Sequence, residues 1–209
     1  MAERQEEFRS TLVQRIANFV RPTVFGDFKV ISYNISGNFA FALTRGSFPQ
    51  ANTLVRIQSP CLFGESFGVN SCDCGEQLTQ ALKIGSEQSP FILIYLTYQE
   101  GRGLGLFQKI KAIEVEANEG VDMVESFNLL GLPLDLRDYR IAAEIIRDIN
   151  ADLPIRLMTN NPKKVKGLKD DGIQIAEIVP LLVSPPNEAC KRYLLSKKNK
   201  MGHILPQVD

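Results

Sequence analysis

Residues 91–105 read Phe-Ile-Leu-Ile-Tyr-Leu-Thr-Tyr-Gln-Glu-Gly-Arg-Gly-Leu-Gly. Phe91–Leu96 is a short, almost wholly apolar run rich in β-formers, which predicts a strand buried on both faces. The glycines after it punctuate the chain, and Gly103–Asn118 has helical spacing. The same rhythm extends in both directions. Helices are predicted at Glu76–Gln88, Met123–Leu130, Asp138–Asn150, from Pro162, and at Asn187–Lys200, with strands at Ile155–Met158 and Ile173–Val179. Such alternation is the pattern of an α/β fold.

Upstream, Phe28–Tyr33, Asn38–Thr44 and Thr53–Gln58 read as strands separated by turn residues, and predict an antiparallel β layer. Residues 3–19 read as an amphipathic helix, with Phe8, Leu12, Val13, Ile16, Phe19 and Val20 near one face and Pro22 as its stop. Such a helix packs on its own domain or serves as a dimer arm. The expected architecture is therefore α/β: an N-terminal antiparallel β lobe, then alternating helix/strand units in a layered α/β/α arrangement. Residues 1–20 are read as a separate helix and 21–209 as one domain.

The 209 residues are 44% hydrophobic, enough for a substantial core without staples. Lys+Arg and Asp+Glu both number 24, so the net charge is zero. That balance argues against a general nucleic-acid or membrane-surface binder, though not against a local basic pocket. No apolar run approaches the ~20 residues of a membrane span. The first residues, Met-Ala-Glu-Arg-Gln-Glu-Glu, lack the apolar core of a signal peptide. A cytoplasmic location is expected, where thiols stay reduced.

Three of the four cysteines fall in one loop-like window, Cys61-Leu-Phe-Gly-Glu-Ser-Phe-Gly-Val-Asn-Ser-Cys72-Asp-Cys74-Gly75. Thiolates are soft ligands suited to zinc, and a catalytic zinc site uses three protein ligands where a structural one uses four. Two plainer readings stay open. The thiols can be core residues, or Cys61 and Cys72 can form a disulfide that leaves one cysteine over. Cys190 and His203 are the outside candidates for a fourth ligand.

Three other stretches carry candidate chemistry. In Gln99-Glu-Gly-Arg-Gly-Leu-Gly105 a strand, a glycine turn and a helix N-terminus make an anion site, with Arg102 as a guanidinium fork; the plainer reading is a tight turn. In Thr159-Asn-Asn-Pro-Lys-Lys164, Asn161 caps a helix and Pro162 opens it. Lys163 and Lys164 then lie in the first turn, where the macrodipole disfavours cations; an anionic partner explains them, as does a solvated pair. In Pro133-Leu-Asp-Leu-Arg-Asp-Tyr139, Asp135 and Arg137 precede the helix cap Asp138, which by itself reads as a capped helix with a surface ion pair.

Together these stretches resemble the GTP cyclohydrolase II family of riboflavin biosynthesis. The resemblance runs from about residue 20 to the C-terminus. It includes Pro22-Thr-Val-Phe-Gly-Asp27, Val55-Arg-Ile-Gln-Ser59, the cysteine window, Gln99-Glu-Gly-Arg102, Asp135-Leu-Arg-Asp138, Thr159–Lys164 and Lys200-Met-Gly-His203. It implies a homodimeric enzyme that attacks C8 of GTP, releases formate and pyrophosphate, and leaves a diaminopyrimidine ribose phosphate. It implies Zn2+ on Cys61, Cys72 and Cys74, and Mg2+ with the triphosphate. Arg56, Gln77, Glu100, Gly101 and Arg102 would contact GTP, with Thr159 and Lys164 on its phosphates. Asp135 would accept a proton, and Arg137 would attack the α-phosphorus or stabilise its charge while water attacks.

The sequence departs from the family pattern in the same region. Ile113 stands where the family carries a functional tyrosine, Met123 where it carries threonine, and Ser71 where it often has arginine. Tyr98 replaces a basic residue, and Glu125-Ser-Phe127 replaces Glu-Ala-Asn. These changes imply a divergent paralogue, one that stops at a formamide or takes a modified purine nucleotide, with Tyr98 as a candidate replacement phenol. Two other classes compete: a nucleotide-binding protein without turnover, and a zinc-stabilised interaction module closed by a fourth ligand.

Overall fold

The computed structural model describes residues 13–209. Among the described residues there are seven strands: β1 (Gln14–Thr23), β2 (Gly26–Ile35), β3 (Asn38–Arg45), β4 (Thr53–Gln58), β5 (Phe91–Leu96), β6 (Ile155–Met158) and β7 (Ile175–Val179). The helices are α1 (Leu62–Glu65), α2 (Cys74–Glu87), α3 (Leu106–Glu119), α4 (Met123–Leu129), α5 (Arg140–Asn150), α6 (Pro162–Asp170) and α7 (Glu188–Met201), with a 3-10 turn at Thr97–Gly103. No helix among the described residues is long and apolar enough to cross a membrane.

All seven strands join one sheet in the order β1-β2-β3-β5-β4-β6-β7. The first three are antiparallel, and β5 continues antiparallel beside β3. β5, β4, β6 and β7 then run parallel. The fold is the expected mixed α/β, with two corrections. The antiparallel part is the near end of the common sheet. β4 does not extend it: the chain leaves β4, crosses through α1 and α2, and returns as β5 on β4's inner side, so β4 is a parallel strand between β5 and β6.

The expected helix at 3–19 is also corrected. Residues 14–19 lie in β1, and the part of that expectation before residue 13 falls outside the described residues. The run Asn18-Phe-Val is as compatible with alternation as with helical spacing, and Pro22 is tolerated in an edge strand. Long-range pairing decides: β1 zips to β2 from Gln14 opposite Asn34 to Thr23 opposite Gly26. The hairpin is tied by Thr23 Oγ1, which donates to the Gly26 carbonyl at 2.8 Å and accepts from the Phe25 amide at 3.1 Å.

Helices cover both faces of the sheet. On one, Ile31, Tyr33, Val55, Ile57, Ile92, Ile94 and Leu96 pack against Ala142, Ile145, Ile146 and Ile149 of α5 and Leu168 of α6. On the other, Phe28, Leu54, Phe91, Leu93 and Met158 pack against Ala81 of α2 and against Leu181. Every residue of β4 is buried. Strand alternation puts Arg56 and Gln58 on the α2 face with Leu54.

Gly85 on α2 lies against the Phe91 ring so closely that an added Cβ would overlap ring carbons. Helix propensity alone predicts that Gly85→Ala stabilises by about 1 kcal/mol. Packing outweighs it here, because the ring is fully buried and has nowhere to move. G85A is expected to destabilise by about 1–3 kcal/mol, read as a lower urea midpoint at constant m-value.

Candidate functional site

The carboxyl ends of β5, β4 and β6 lie side by side, and each opens one of the stretches singled out in the sequence. β4 leads into Cys61, β5 into the Gln-Glu-Gly-Arg turn, and β6 into Thr159–Lys164. Ligands of open α/β sheets bind at this edge. A cavity of about 1120 Å3 opens there, lined by the three clustered cysteines, Arg56, Gln77, Gly101, Arg102, Arg137, Thr159 and Lys164.

The Cys61, Cys72 and Cys74 sulfurs lie within 4.8 Å of one another, with Cys61 and Cys72 3.9 Å apart. Cys61 caps α1, its sulfur accepting from the Gly64 amide at 3.4 Å, and Cys74 begins α2. Two glycines allow the approach: a Cβ on Gly75 would overlap the Gly64 carbonyl, and one on Gly64 would sit 3.0 Å from the Cys72 sulfur. Three thiols gathered around missing Cβ atoms fit a thiophilic metal ion. Bonds from the neighbouring sulfurs, then from Lys109, hold the Cys61 thiol far below its ordinary range. The compensating proton affinity raises Cys72 and Cys74. Cys190 belongs to a separate apolar cluster with Leu194, Leu205 and Val208.

A hydrogen-bonded row crosses the floor of the cavity. Arg56 donates to Gln58 Oε1 at 2.9 Å and to Gln77 Oε1 at 2.6 Å. Gln77 in turn donates to Asp73, which pairs with Lys197 of α7 at 2.6 Å. Gln58 donates to Glu65 at 2.7 Å, and Tyr95 donates to the other oxygen of that carboxylate at 2.5 Å. Burial pulls the Arg56 guanidinium down to about 10.

At the start of α6, Asn161 Oδ1 accepts from the Lys163 amide at 2.9 Å, as a helix cap should. Lys164 is buried and donates to the Ile57 carbonyl at 2.7 Å. Burial, then the Arg56 and Arg137 charges, push its ammonium well below the ordinary lysine range. Arg137 forks onto Asp135 with bonds of 2.9 and 2.8 Å. Burial works against both charges, but the pairing wins, lowering the Asp135 carboxyl and raising Arg137.

Not all the expected residues face the cavity. Asp135 lies behind Arg137, where both border a smaller hollow with Lys163 and Lys166. Glu100 turns toward α1: Oε2 accepts from the Leu62 amide at 3.0 Å and Oε1 from Lys109 at 2.6 Å. Tyr98 does not supply a phenol. It packs against the core on the α5 side of the sheet. The phenol that does reach the cavity is Tyr193 of α7, its ring 4.3 Å from the Lys197 ammonium. Ile113 lines the cavity as an apolar side chain, and Met123 and Phe127 both close on Arg102, Phe127 with its ring 5.0 Å from the guanidinium. His203, the other candidate fourth ligand, borders the cavity but is not in the cluster formed by Cys61, Cys72 and Cys74. Burial, then nearby cations, lower it to about 4.

Lys109, Asp73, Lys197 and Tyr193 also line the cavity, and spacing does not mark them. Each comes from a helix or its cap and meets the cavity only through tertiary packing. The one signal in the chain is local: Asp73 stands between two cysteines.

Gly75→Ala tests the thiol geometry. The added methyl must part α1 from α2, so the metal retained after dialysis, measured by plasma mass spectrometry, is expected to fall well below that of the parent.

Residues 14–180 match the family model described as GTP cyclohydrolase II. The GTP cyclohydrolase-2 of Streptomyces coelicolor is 42% identical over 201 residues, covering 95% of this chain and 90% of that protein. The riboflavin biosynthesis protein RibBA of Aquifex aeolicus is 41% identical over 199 residues and that of Bacillus subtilis 42% over 200, each covering 94% of this chain. The chain spans about half the length of these two, 48% and 49%. The family match over the sheet and all three strand-end stretches, joined to near full-length identity with the Streptomyces protein, establishes that this chain belongs to the GTP cyclohydrolase II family of enzymes.

Proposed function

We propose that the chain opens the imidazole ring of GTP by hydrolysis at C8, releasing formate and pyrophosphate and leaving a diaminopyrimidine ribose phosphate. The observation that carries this reading is a single cavity lined both by the thiol trio and by the cations Arg56, Arg137 and Lys164. Cys61, Cys72 and Cys74 would hold Zn2+, which when bound supplies a Lewis acid that makes water nucleophilic near neutral pH. Mg2+ would travel with the triphosphate. The reading includes a homodimer in the cytoplasm, with light scattering as the test of the former.

The chain's own residues bind and orient. Gln77 is held between Arg56 and Asp73, so its amide orientation is fixed before a base arrives. Glu100 has about four acceptor sites. The Leu62 and Gly101 amides and Lys109 use three and face the carboxylate toward α1, so contact with a guanine N–H would require it to turn its remaining site into the cavity. Thr159 and Lys164 would receive the phosphates. Lys164 sits among like charges, and a phosphate would relieve the repulsion and favour the charged ammonium. The firm Asp135–Arg137 fork favours Arg137 as a cation balancing charge at the α-phosphorus, with water as the attacking group, over a neutral guanidine nucleophile.

Ile113 favours a second reading, in which the phosphate chemistry proceeds but the formyl group stays as a formamide. Incubation with GTP and Mg2+, with formate and pyrophosphate assayed separately, decides between them. Equal yields are the expected result; pyrophosphate without formate would establish the second reading, and Ile113→Tyr should then raise formate. Arg137→Lys keeps the charge but loses the fork, and is expected to slow pyrophosphate release by about 100-fold with little change in metal content.

A further inference from the structure

Lys109 rises from α3 to the centre of the site without being part of any stretch that the reaction has absorbed. Its ammonium donates to the Cys61 sulfur at 3.0 Å and to Glu100 Oε1 at 2.6 Å. The Phe63 ring of α1 lies 5.6 Å from the same nitrogen. The side chains of Lys109 and Glu100 are only 18% and 13% exposed, so water screens this arrangement weakly.

The route of the side chain is built into the turn it crosses. Gly101 has φ +58°, and a Cβ there would stand 3.1 Å from the Lys109 Cβ. The missing side chain at Gly101 lets Lys109 pass over the turn and reach the sulfur. Glu100 anchors the far side, since its second oxygen holds the Leu62 amide at the start of α1.

We propose that Lys109 is a positioning residue: its ammonium, bonded at once to the Cys61 sulfur and the Glu100 carboxylate, draws charge from a metal-ligating thiolate and locks the metal centre to the base-binding turn. The inference rests on the reading that the thiol trio holds the metal. The charge balance gives the reason. Three thiolates around a divalent ion leave one surplus negative charge, which weakens the ion as a Lewis acid. An N–H···S bond from a cation offsets that surplus at one ligand. Partners of this kind, one shell out from a metal, typically change affinity or activity by about 10–100-fold. A lysine that served only to pair with Glu100 would not alter the electronic state of the sulfur.

Cobalt substitution reads that difference directly. The 209-residue chain and its Lys109→Met and Lys109→Arg variants are each loaded with Co2+ and their sulfur-to-cobalt charge-transfer bands recorded, with circular dichroism as a check on folding. Losing the N–H donor makes the thiolate a better electron donor. The K109M band is therefore expected at longer wavelength than the parent's, with kcat of the zinc form lower by about 10–100-fold. K109R keeps a cation and N–H donors and should lie between the two in both measurements. A K109M band coincident with the parent's at full cobalt occupancy overturns the proposal, whatever the activity. If K109M fails to load, Lys109→Ala, which also lacks the donor, decides, and an unshifted band there overturns it too. A parent protein with no sulfur-to-cobalt band at all would overturn the thiolate-metal reading itself, and this inference with it; a parent band present and unmoved by substitution removes this inference alone.

Discussion

The site depends on β4 being held as a parallel strand between β5 and β6. Six residues, all buried, carry that position. Their backbone groups are committed to two neighbours, so the turns leaving three adjacent strands emerge at one edge within a few strand spacings. The cysteine window, the glycine turn and the Asn-Pro-Lys-Lys helix start are up to about a hundred residues apart in the chain. The sheet makes them neighbours, and no local propensity of those segments would do so.

The same strand carries the most costly residue of the fold. Arg56 is a guanidinium almost without water, and unpaired burial of such a charge is strongly unfavourable. It survives because Gln58, Gln77 and the Met158 carbonyl accept its protons. Those acceptors come from β4 itself, from α2 and from β6, so the charge is satisfied only when the sheet and its crossover helix are assembled together. Lys164 and Arg137 lie near enough to disfavour one another. The cavity thus concentrates positive charge where the core could otherwise have been apolar, a conflict between stability and function of the kind that marks working sites.

Much of this architecture is legible in the amino-acid sequence. Phe91–Leu96 and Ile155–Met158 match their strands because short apolar runs bounded by turn residues have few other solutions. Asn161 and Pro162 mark the start of α6 through capping chemistry that is local by nature. The clustering of the three thiols is suggested by their spacing, which by itself leaves core and disulfide readings open; the structure brings their sulfurs together. What is not legible is set by partners distant in sequence. Residues 14–19 satisfy a helical pattern, yet β2 recruits them by backbone pairing. β4 reads like its antiparallel predecessors, because side-chain alternation does not encode the direction of a neighbour. Tyr98 looks close to the site from its place beside Gln99, but the 3-10 turn carries it to the opposite face of the sheet. Lys109 opens the run that ends at Ile113, but nothing in that run shows that its ammonium reaches a cysteine sulfur 48 residues earlier in the chain.

The rim of the sheet formed by β1 has a further implication. Among the described residues its outer edge has no strand beside it, and Ile16, Phe19 and Val20 are exposed along it. A bare ribbon of this kind templates strand addition by any sticky neighbour in a concentrated solution. Pro22, which has no amide proton to give, and the charged Arg21 act as guards along that rim. Shelf life at high concentration, and tolerance of fusions placed ahead of residue 14, will therefore be governed by a margin of the molecule that takes no part in its chemistry.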